Sequence, residues 1–177
     1  MEETITLNNG TTVLLRPVRP DDAADLVVIQ QQVIEEGISN VGDDLDSVED
    51  RQKELEKFPA TNLWVVAEHQ GQVVGSLELH RPGAPFLAHH AQLGIELHRD
   101  WRGLRLGSAM MSYAITWGKA NGLEMIRLGV LDTNPNAKRL YERLGFRTIG
   151  HFPDFVKKRD GSYSGDTMMI LDLTDAP

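Results

Sequence analysis

DTNPNAKRLYERLGF, residues 132–146, decides how the chain is read. Asn134 is a helix cap by type, because its side-chain oxygen can accept from a backbone N–H two or three residues on. Pro135 suits the first turn that follows, where a missing N–H costs nothing. Ala137, Leu140, Tyr141 and Leu144 then recur at helical spacing, and Gly145 ends the run. This is a short amphipathic helix with its own start and stop signals. It is entered directly from an apolar strand, MIRLGVL (125–131).

Moving upstream, AQLGIELH (91–98) alternates Leu93, Ile95 and Leu97 with Gln92, Glu96 and His98, a strand pattern. DWRGLRLGSAMM (100–111) follows, with Gly103, Gly107, Arg102 and Arg105 where strand gives way to helix. Leu106, Ala109, Met110, Tyr113, Ala114 and Trp117 form that helix, and Asn121-Gly122 stops it. A glycine-containing turn into a helix presents unpaired N–H groups and a partial positive charge to an anion. It is not a P-loop, because the Gly-Lys-Ser/Thr ending is missing. Nor is it a dinucleotide fingerprint, because the glycines are four apart and no third follows. Taken alone, it is more readily a solvated basic loop.

The rest of the chain supplies the frame. Residues 11–19 are a strand ending at Pro20, followed by a helix through Ala23, Leu26, Val27, Val33 and Ile34. A loop over 37–46 leads to a polar helix over 47–58. Strands at 63–69 and 73–80 turn around Gln70-Gly71, and two closing strands between 146 and 173 turn around Asp160-Gly161. The order β-α-α-β-β-β-α-β-α-β-β implies a mixed α+β fold, not a regular alternation. With 177 residues and no repeat or linker, residues 1–177 are expected to form a single domain.

Composition narrows the chemistry. The chain has no cysteine, so disulfides, thiolate nucleophiles and Cys-ligated metals drop out. A net charge of −8 argues against general nucleic-acid binding. No apolar run approaches the roughly 20 residues of a membrane span, and the acidic start MEETITL is unlike a signal peptide, so a cytoplasmic location is expected.

Two motifs taken together resemble the GCN5-related N-acetyltransferase (GNAT) superfamily. That family has an Arg/Gln-x-x-Gly-x-Gly/Ala turn after its fourth strand and an Asn-x-x-Ala-x-x-Leu-Tyr-x-x-x-Gly-Phe helix after its fifth. Here the first is Arg102-Gly103-Leu104-Arg105-Leu106-Gly107. The second runs from Asn134 through Ala137, Leu140 and Tyr141 to Gly145-Phe146, beginning 25 residues beyond Gly107 if counted from Asp132. The resemblance implies a twisted mixed sheet of about seven strands with about four helices, its fourth and fifth strands splayed apart. It implies acetyl-CoA as co-substrate, no metal, and a small-molecule, polyamine or peptide amine as acceptor. A homodimer is the family-level expectation.

The resemblance also assigns residues. The turn from Arg102 to Ser108 (Arg102, Gly103, Leu104, Arg105, Leu106, Gly107 and Ser108) would hold the pyrophosphate. Leu97 would pair its backbone with the pantetheine arm and polarise the thioester carbonyl. Asn134 and Asn136 would approach the pantetheine and phosphates, and Tyr141 would act as general acid near the sulfur. Arg105 stands where the family usually has glycine, and a negative φ is expected there, with the guanidinium toward a phosphate.

Amine acetylation also calls for a base. An amine of pKa about 10.4 is only ~10⁻³ to 10⁻⁴ deprotonated at neutral pH, a deficit that a positioned base can offset. Glu96 ranks first, then Glu78, then His90. A metal site from His80, His89, His90 and His98 is not expected, since adjacent histidines rarely ligate one ion together. The acidic residues Glu35, Glu36, Asp43, Asp44, Asp46, Glu49 and Asp50 surround the acceptor side that the resemblance implies. Two rivals stand beside the transferase: a non-catalytic acyl-CoA sensor, and a nucleotide-dependent enzyme using the same turn.

Overall fold

The structure, a computed structural model, describes residues 2–38, 45–158 and 160–174. Its strands are β1 (Glu3–Thr6), β2 (Thr12–Pro17), β3 (Leu63–His69), β4 (Gln72–His80), β5 (His90–Leu97), β6 (Met125–Leu131), β7 (Arg147–Lys157) and β8 (Tyr163–Asp172). Its helices are α1 (Ala23–Glu35), α2 (Val48–Lys57), α3 (Leu106–Ala120) and α4 (Pro135–Arg143). One sheet runs β1-β2-β3-β4-β5-β6-β8-β7, antiparallel throughout except for the parallel pair β5–β6. Among the described residues no helix is long and apolar enough to cross a membrane.

The expected elements all form, and one strand joins them. β1 contains a single apolar residue, Ile5, too little for a periodic signal. Asn9-Gly10 is the turn signal that reveals it: Gly10 has φ 83° and the Leu7 N–H donates to the Thr11 carbonyl at 2.8 Å.

Helices cover both faces of the sheet. On one face α1 and α2 bury Leu26, Ile29 and Leu55 against Trp64, Val66 and Val73. On the other, α3 buries Leu106, Met110, Met111 and Ala114 against Leu77, Leu79, Leu93, Leu128 and Met169, and α4 adds Tyr141. The alternation of strand side chains produces this division. Even-numbered Glu78, Gly94 and Glu96 face α1, while odd-numbered Leu77, Leu93 and Leu79 face α3. The buried guanidinium of Arg16 grips Asp22 through two 2.8 Å bonds and Glu68 at 2.6 Å, locking the entry of α1 to β2 and β3.

Candidate active site

The site begins where the sheet comes apart. β5 and β6 pair only through His90–Met125, Ala91–Ile126 and Gln92–Arg127, and beyond that point no further pairs join them. The His98 N–H donates to the Val74 carbonyl at 3.0 Å, and the His89 carbonyl accepts from Glu124 at 2.7 Å. Even-numbered residues along β5 therefore bond to β4, and odd-numbered ones turn toward β6. Ile95, both N–H and C=O, and the Leu97 N–H consequently face the gap with no strand opposite. An extended ligand arm would find strand-like partners there.

At the mouth of the gap, the N–H groups of Gly103, Leu104 and Arg105 have no hydrogen-bond partner among the described residues, and those of Leu106, Gly107 and Ser108 belong to the first turn of α3. Six successive donors thus converge at a helix N-terminus, a cradle suited to a pyrophosphate. Gly107 is needed for packing. A Cβ there would come within 3.3 Å of both Leu97 and Leu140, so the turn, β5 and α4 meet at this glycine.

Arg105 departs from expectation, and Arg102 takes a role that no expectation covered. Arg105 has φ 67° and ψ 9°, the left-handed region and not the expected negative φ. The chain must reverse here to aim α3 out of the turn, and Arg105, its N-cap, takes the conformation that glycine adopts without strain. Arg102 points inward and not outward. Its Nε and Nη2 donate to the Leu97 carbonyl at 3.1 and 3.0 Å, and Nη1 pairs with Glu36. Its guanidinium is a strut between β5 and the end of α1. Alongside it, Gln32 accepts from the Arg99 N–H at 2.9 Å and bonds the His98 ring at 2.8 Å.

On α4, Asn134 caps the helix as read, accepting from the Ala137 N–H at 3.2 Å. Asn136 accepts from Arg139 at 2.5 Å on an exposed surface. Tyr141 is 6% exposed, its ring 5.9 Å from that of Phe146. Its hydroxyl has no partner among the described residues, and burial pushes its pKa up to about 12.

On the opposite face, a cavity of about 270 Å³ lies between α1, α2 and strands β3–β5. Trp64, Ser76, Glu78, Glu96, Arg51 and Glu54 line it. Trp64 Nε1 donates to Ser76 Oγ at 2.7 Å. Glu96 is half-buried, and its carboxylate has no hydrogen-bond partner among the described residues. Burial pushes its pKa up to about 7, Glu78 and Asp46 reinforce the rise, and Arg51 and Arg102 oppose it.

The lower-ranked bases fare differently. Glu78 is tied to His80 at 2.8 Å, and that contact raises the His80 pKa. His90 lies at the far, paired end of β5, its pKa lowered by burial and by Arg127. Among the described residues no three His, Asp or Glu side chains are placed to share a metal ion. Asp43 and Asp44 lie outside the described residues. Glu35 and Glu36 are engaged by Arg99 and Arg102.

The structure therefore brings Leu97, Gly107 and Leu140 of α4 together. It sets Glu96 and Tyr141 on opposite faces of the sheet, at either side of the gap. Sequence reasoning missed the inward turn of Arg102, which no periodicity signals.

Comparison with known proteins bears on the fold and the family. The acetyltransferase (GNAT) family matches residues 33–146. An uncharacterised N-acetyltransferase of Schizosaccharomyces pombe is 27% identical over 136 residues, covering 73% of this chain and 78% of that one. Phosphinothricin acetyltransferase from Sinorhizobium meliloti, solved in complex with acetyl-CoA, superimposes with a TM-score of 0.84 at 19% identity, over 93% of this chain and 92% of that one. yncA of Salmonella typhimurium, solved with its cofactor acetyl-CoA, gives 0.84 at 20% identity, over 93% and 96%. The structural likenesses establish the fold, and the family match covers more than half the sequence. This chain belongs to the acetyltransferase (GNAT) family.

Proposed function

We propose that the protein is an N-acetyltransferase that moves the acetyl group of acetyl-CoA directly to a primary amine of a small molecule, polyamine or peptide N-terminus. One observation carries the reading. A gap in the sheet, lined by free backbone groups, has a carboxyl tuned to about pH 7 on one face and a buried phenol on the other.

The co-substrate fits the residues present. The six N–H groups from Gly103 to Ser108 would hold its pyrophosphate, each charge-assisted bond contributing roughly 1.5–3 kcal/mol. Ile95 and Leu97 would pair with its arm, and Asn134 and Asn136 would border its path. When bound, it supplies an activated acetyl thioester.

The chain's own residues do the rest. Glu96 takes a proton from the incoming ammonium, and at a pKa of about 7 it is both ionised and basic enough near neutrality. The Leu97 N–H, held by the Arg102 grip on the same residue's carbonyl, is a donor toward developing negative charge. Tyr141 hydrogen-bonds the departing sulfur. At a pKa of about 12 the phenol stays protonated, and full transfer to a thiolate of ordinary pKa near 8.5 is uphill, so it acts as a donor first. With no cysteine in the chain, transfer does not pass through an acyl-thiol enzyme. The cavity's volume favours a small amine or the end of a longer chain.

The test is CoA release measured against a panel of amines, amino acids, polyamines and peptides. Turnover that saturates with one amine class supports the reading. Tight acetyl-CoA binding with no turnover on any amine overturns it in favour of the sensor.

A further inference from the structure

The last turn of α1 is fastened to both banks of the gap. Gly37 ends the helix at φ 64°, its N–H donating to the Ile34 carbonyl at 2.9 Å and the Ile38 N–H to the Val33 carbonyl at 3.2 Å. These bonds make a Schellman stop, which a left-handed residue completes. The Gly37 carbonyl then accepts from the Thr133 hydroxyl at 2.9 Å, a bond that crosses the gap to the end of β6. Lys158, in the turn between β7 and β8, sets its ammonium nitrogen 3.8 Å from where a Cβ of residue 37 would stand. On the other bank, Glu36 pairs with Arg102, whose guanidinium is bonded to Leu97 of β5.

Thr133 is itself held. It sits in a tight turn between β6 and α4, where the Asn134 N–H donates to the Leu131 carbonyl at 2.8 Å and the Asp132 N–H to the Gly165 carbonyl at 3.0 Å. Its bond to Gly37 lies in solvent, where a neutral hydrogen bond adds little to stability. What it contributes is its place, from one half of the sheet to the other.

Register gives the height of the crossing. Gln92 pairs with Arg127, so the same count sets Glu96 level with Leu131 across the gap. Leu128 and Val130 join the core under α3, so Leu131 turns to the opposite face, and Thr133 reaches Gly37 on that side. Two residues separate Thr133 from that level, roughly 7 Å at most. Val33 and Ile38, which bracket the stop, line the cavity that holds Glu96. An amine passing from that cavity to a thioester in the gap would move beneath them, and a branch beside its nitrogen would meet the turn.

We propose that Thr133 is a specificity-determining residue: by tying the last turn of α1 to the end of β6, it fixes the height of that turn over the acceptor's path and holds back amines branched at the carbon that bears the nitrogen. This rests on the transferase reading above for the amine, while the tie itself can be tested without turnover.

The test compares the wild type with Thr133→Val, which removes the hydroxyl at constant shape, and Thr133→Ser, which keeps it. The acceptors are n-butylamine and sec-butylamine, isomers with the nitrogen on an unbranched and a branched carbon. Should neither turn over, the best linear amine of the panel and its isomer branched beside the nitrogen take their place. Wild-type kcat/KM should favour the linear isomer about 10-fold or more, the scale of discrimination over one methyl-sized group. Thr133→Val should cut that preference about 3- to 10-fold by speeding the branched isomer, with the linear isomer and the acetyl-CoA Kd within about twofold of the wild type. Thr133→Ser should keep the wild-type preference. A wild type without the preference, or a preference unchanged in Thr133→Val, overturns the proposal.

Amide exchange at Gly37 and Ile38, resolved by NMR, needs no acceptor. It should quicken about 2- to 10-fold in Thr133→Val and stay at the wild-type rate in Thr133→Ser. Wild-type exchange in the valine variant removes the tie and sinks the proposal, whatever the amines do. Quickened exchange with no turnover of any amine would remove the transferase reading, and the sorting role of Thr133 with it, and leave the tie standing.

Discussion

Arg102 closes its guanidinium on the backbone carbonyl of Leu97, with Nε at 3.1 Å and Nη2 at 3.0 Å, and turns its remaining nitrogen to Glu36. An arginine in this turn would be expected to face phosphate. Here it fixes the direction of the strand that borders the gap. A lysine cannot hold this fork, because it offers one point charge on a flexible stem. Arg102→Lys is therefore expected to lower kcat about 10-fold while the salt dependence of acetyl-CoA binding stays as in the wild type. Steady-state kinetics at two ionic strengths checks this, and a changed salt slope would mark Arg102 as a phosphate ligand after all.

Tyr141→Phe keeps the buried ring and removes only the hydroxyl. Because that hydroxyl has no partner among the described residues, the loss should not unsettle the fold. We expect kcat to fall on the order of 10²-fold with acetyl-CoA affinity nearly constant. Turnover unchanged across pH would return Tyr141 to a purely packing role.

Glu96→Gln bears on both rate and stability. With the carboxyl at about pH 7, wild-type kcat/KM should climb through neutrality and level off above it, and the variant should lose that limb. The folded protein holds this proton more tightly than the unfolded chain does. The stability this contributes is complete below about pH 4.5 and is lost as pH rises through about 7, up to about 3 kcal/mol by linkage. Glutamine cannot ionise, so the variant should melt several degrees above the wild type at pH 8.5 and together with it near pH 4. A melting difference independent of pH would contradict the raised carboxyl.

Arg105 at φ 67° carries a left-handed cost of about 1–2 kcal/mol, which glycine avoids. Glycine's greater freedom in the unfolded chain takes back about 0.4–1 kcal/mol. Arg105→Gly should therefore gain up to about 1.6 kcal/mol, at roughly 2–4 °C in Tm per kcal/mol for a chain of this size. It should also flatten the salt dependence of acetyl-CoA binding by removing an exposed charge beside the cradle. A drop in Tm would show that the side chain makes a contact worth more than the strain.

What the sequence disclosed, and what it withheld, divides along physical lines. Features written in local periodicity were legible: the Asn134 cap, the Tyr141 face of α4 and the alternation that sets Glu96 apart from Ile95. β1 escaped because four residues with one apolar side chain carry no period. Arg105's φ escaped because an arginine in the left-handed region is set by the path of the surrounding turn, not by its own preference. The pairing of Arg102 with Glu36, which turns its guanidinium inward, joins residues 66 positions apart and leaves no trace in a local window.

The three-pair seam between β5 and β6 also has a meaning for how the protein is made. All strands on one side of it come from residues up to 97, and all strands on the other from residue 125 onward. During synthesis, the first group can assemble before the second leaves the ribosome. At that stage β5 is an uncovered edge that carries Leu93, Ile95 and Leu97, the kind of edge that recruits strands from other chains. The later half caps only its first three residues. The backbone left bare for a ligand in the mature protein is thus the same backbone that a newborn chain must keep from its neighbours.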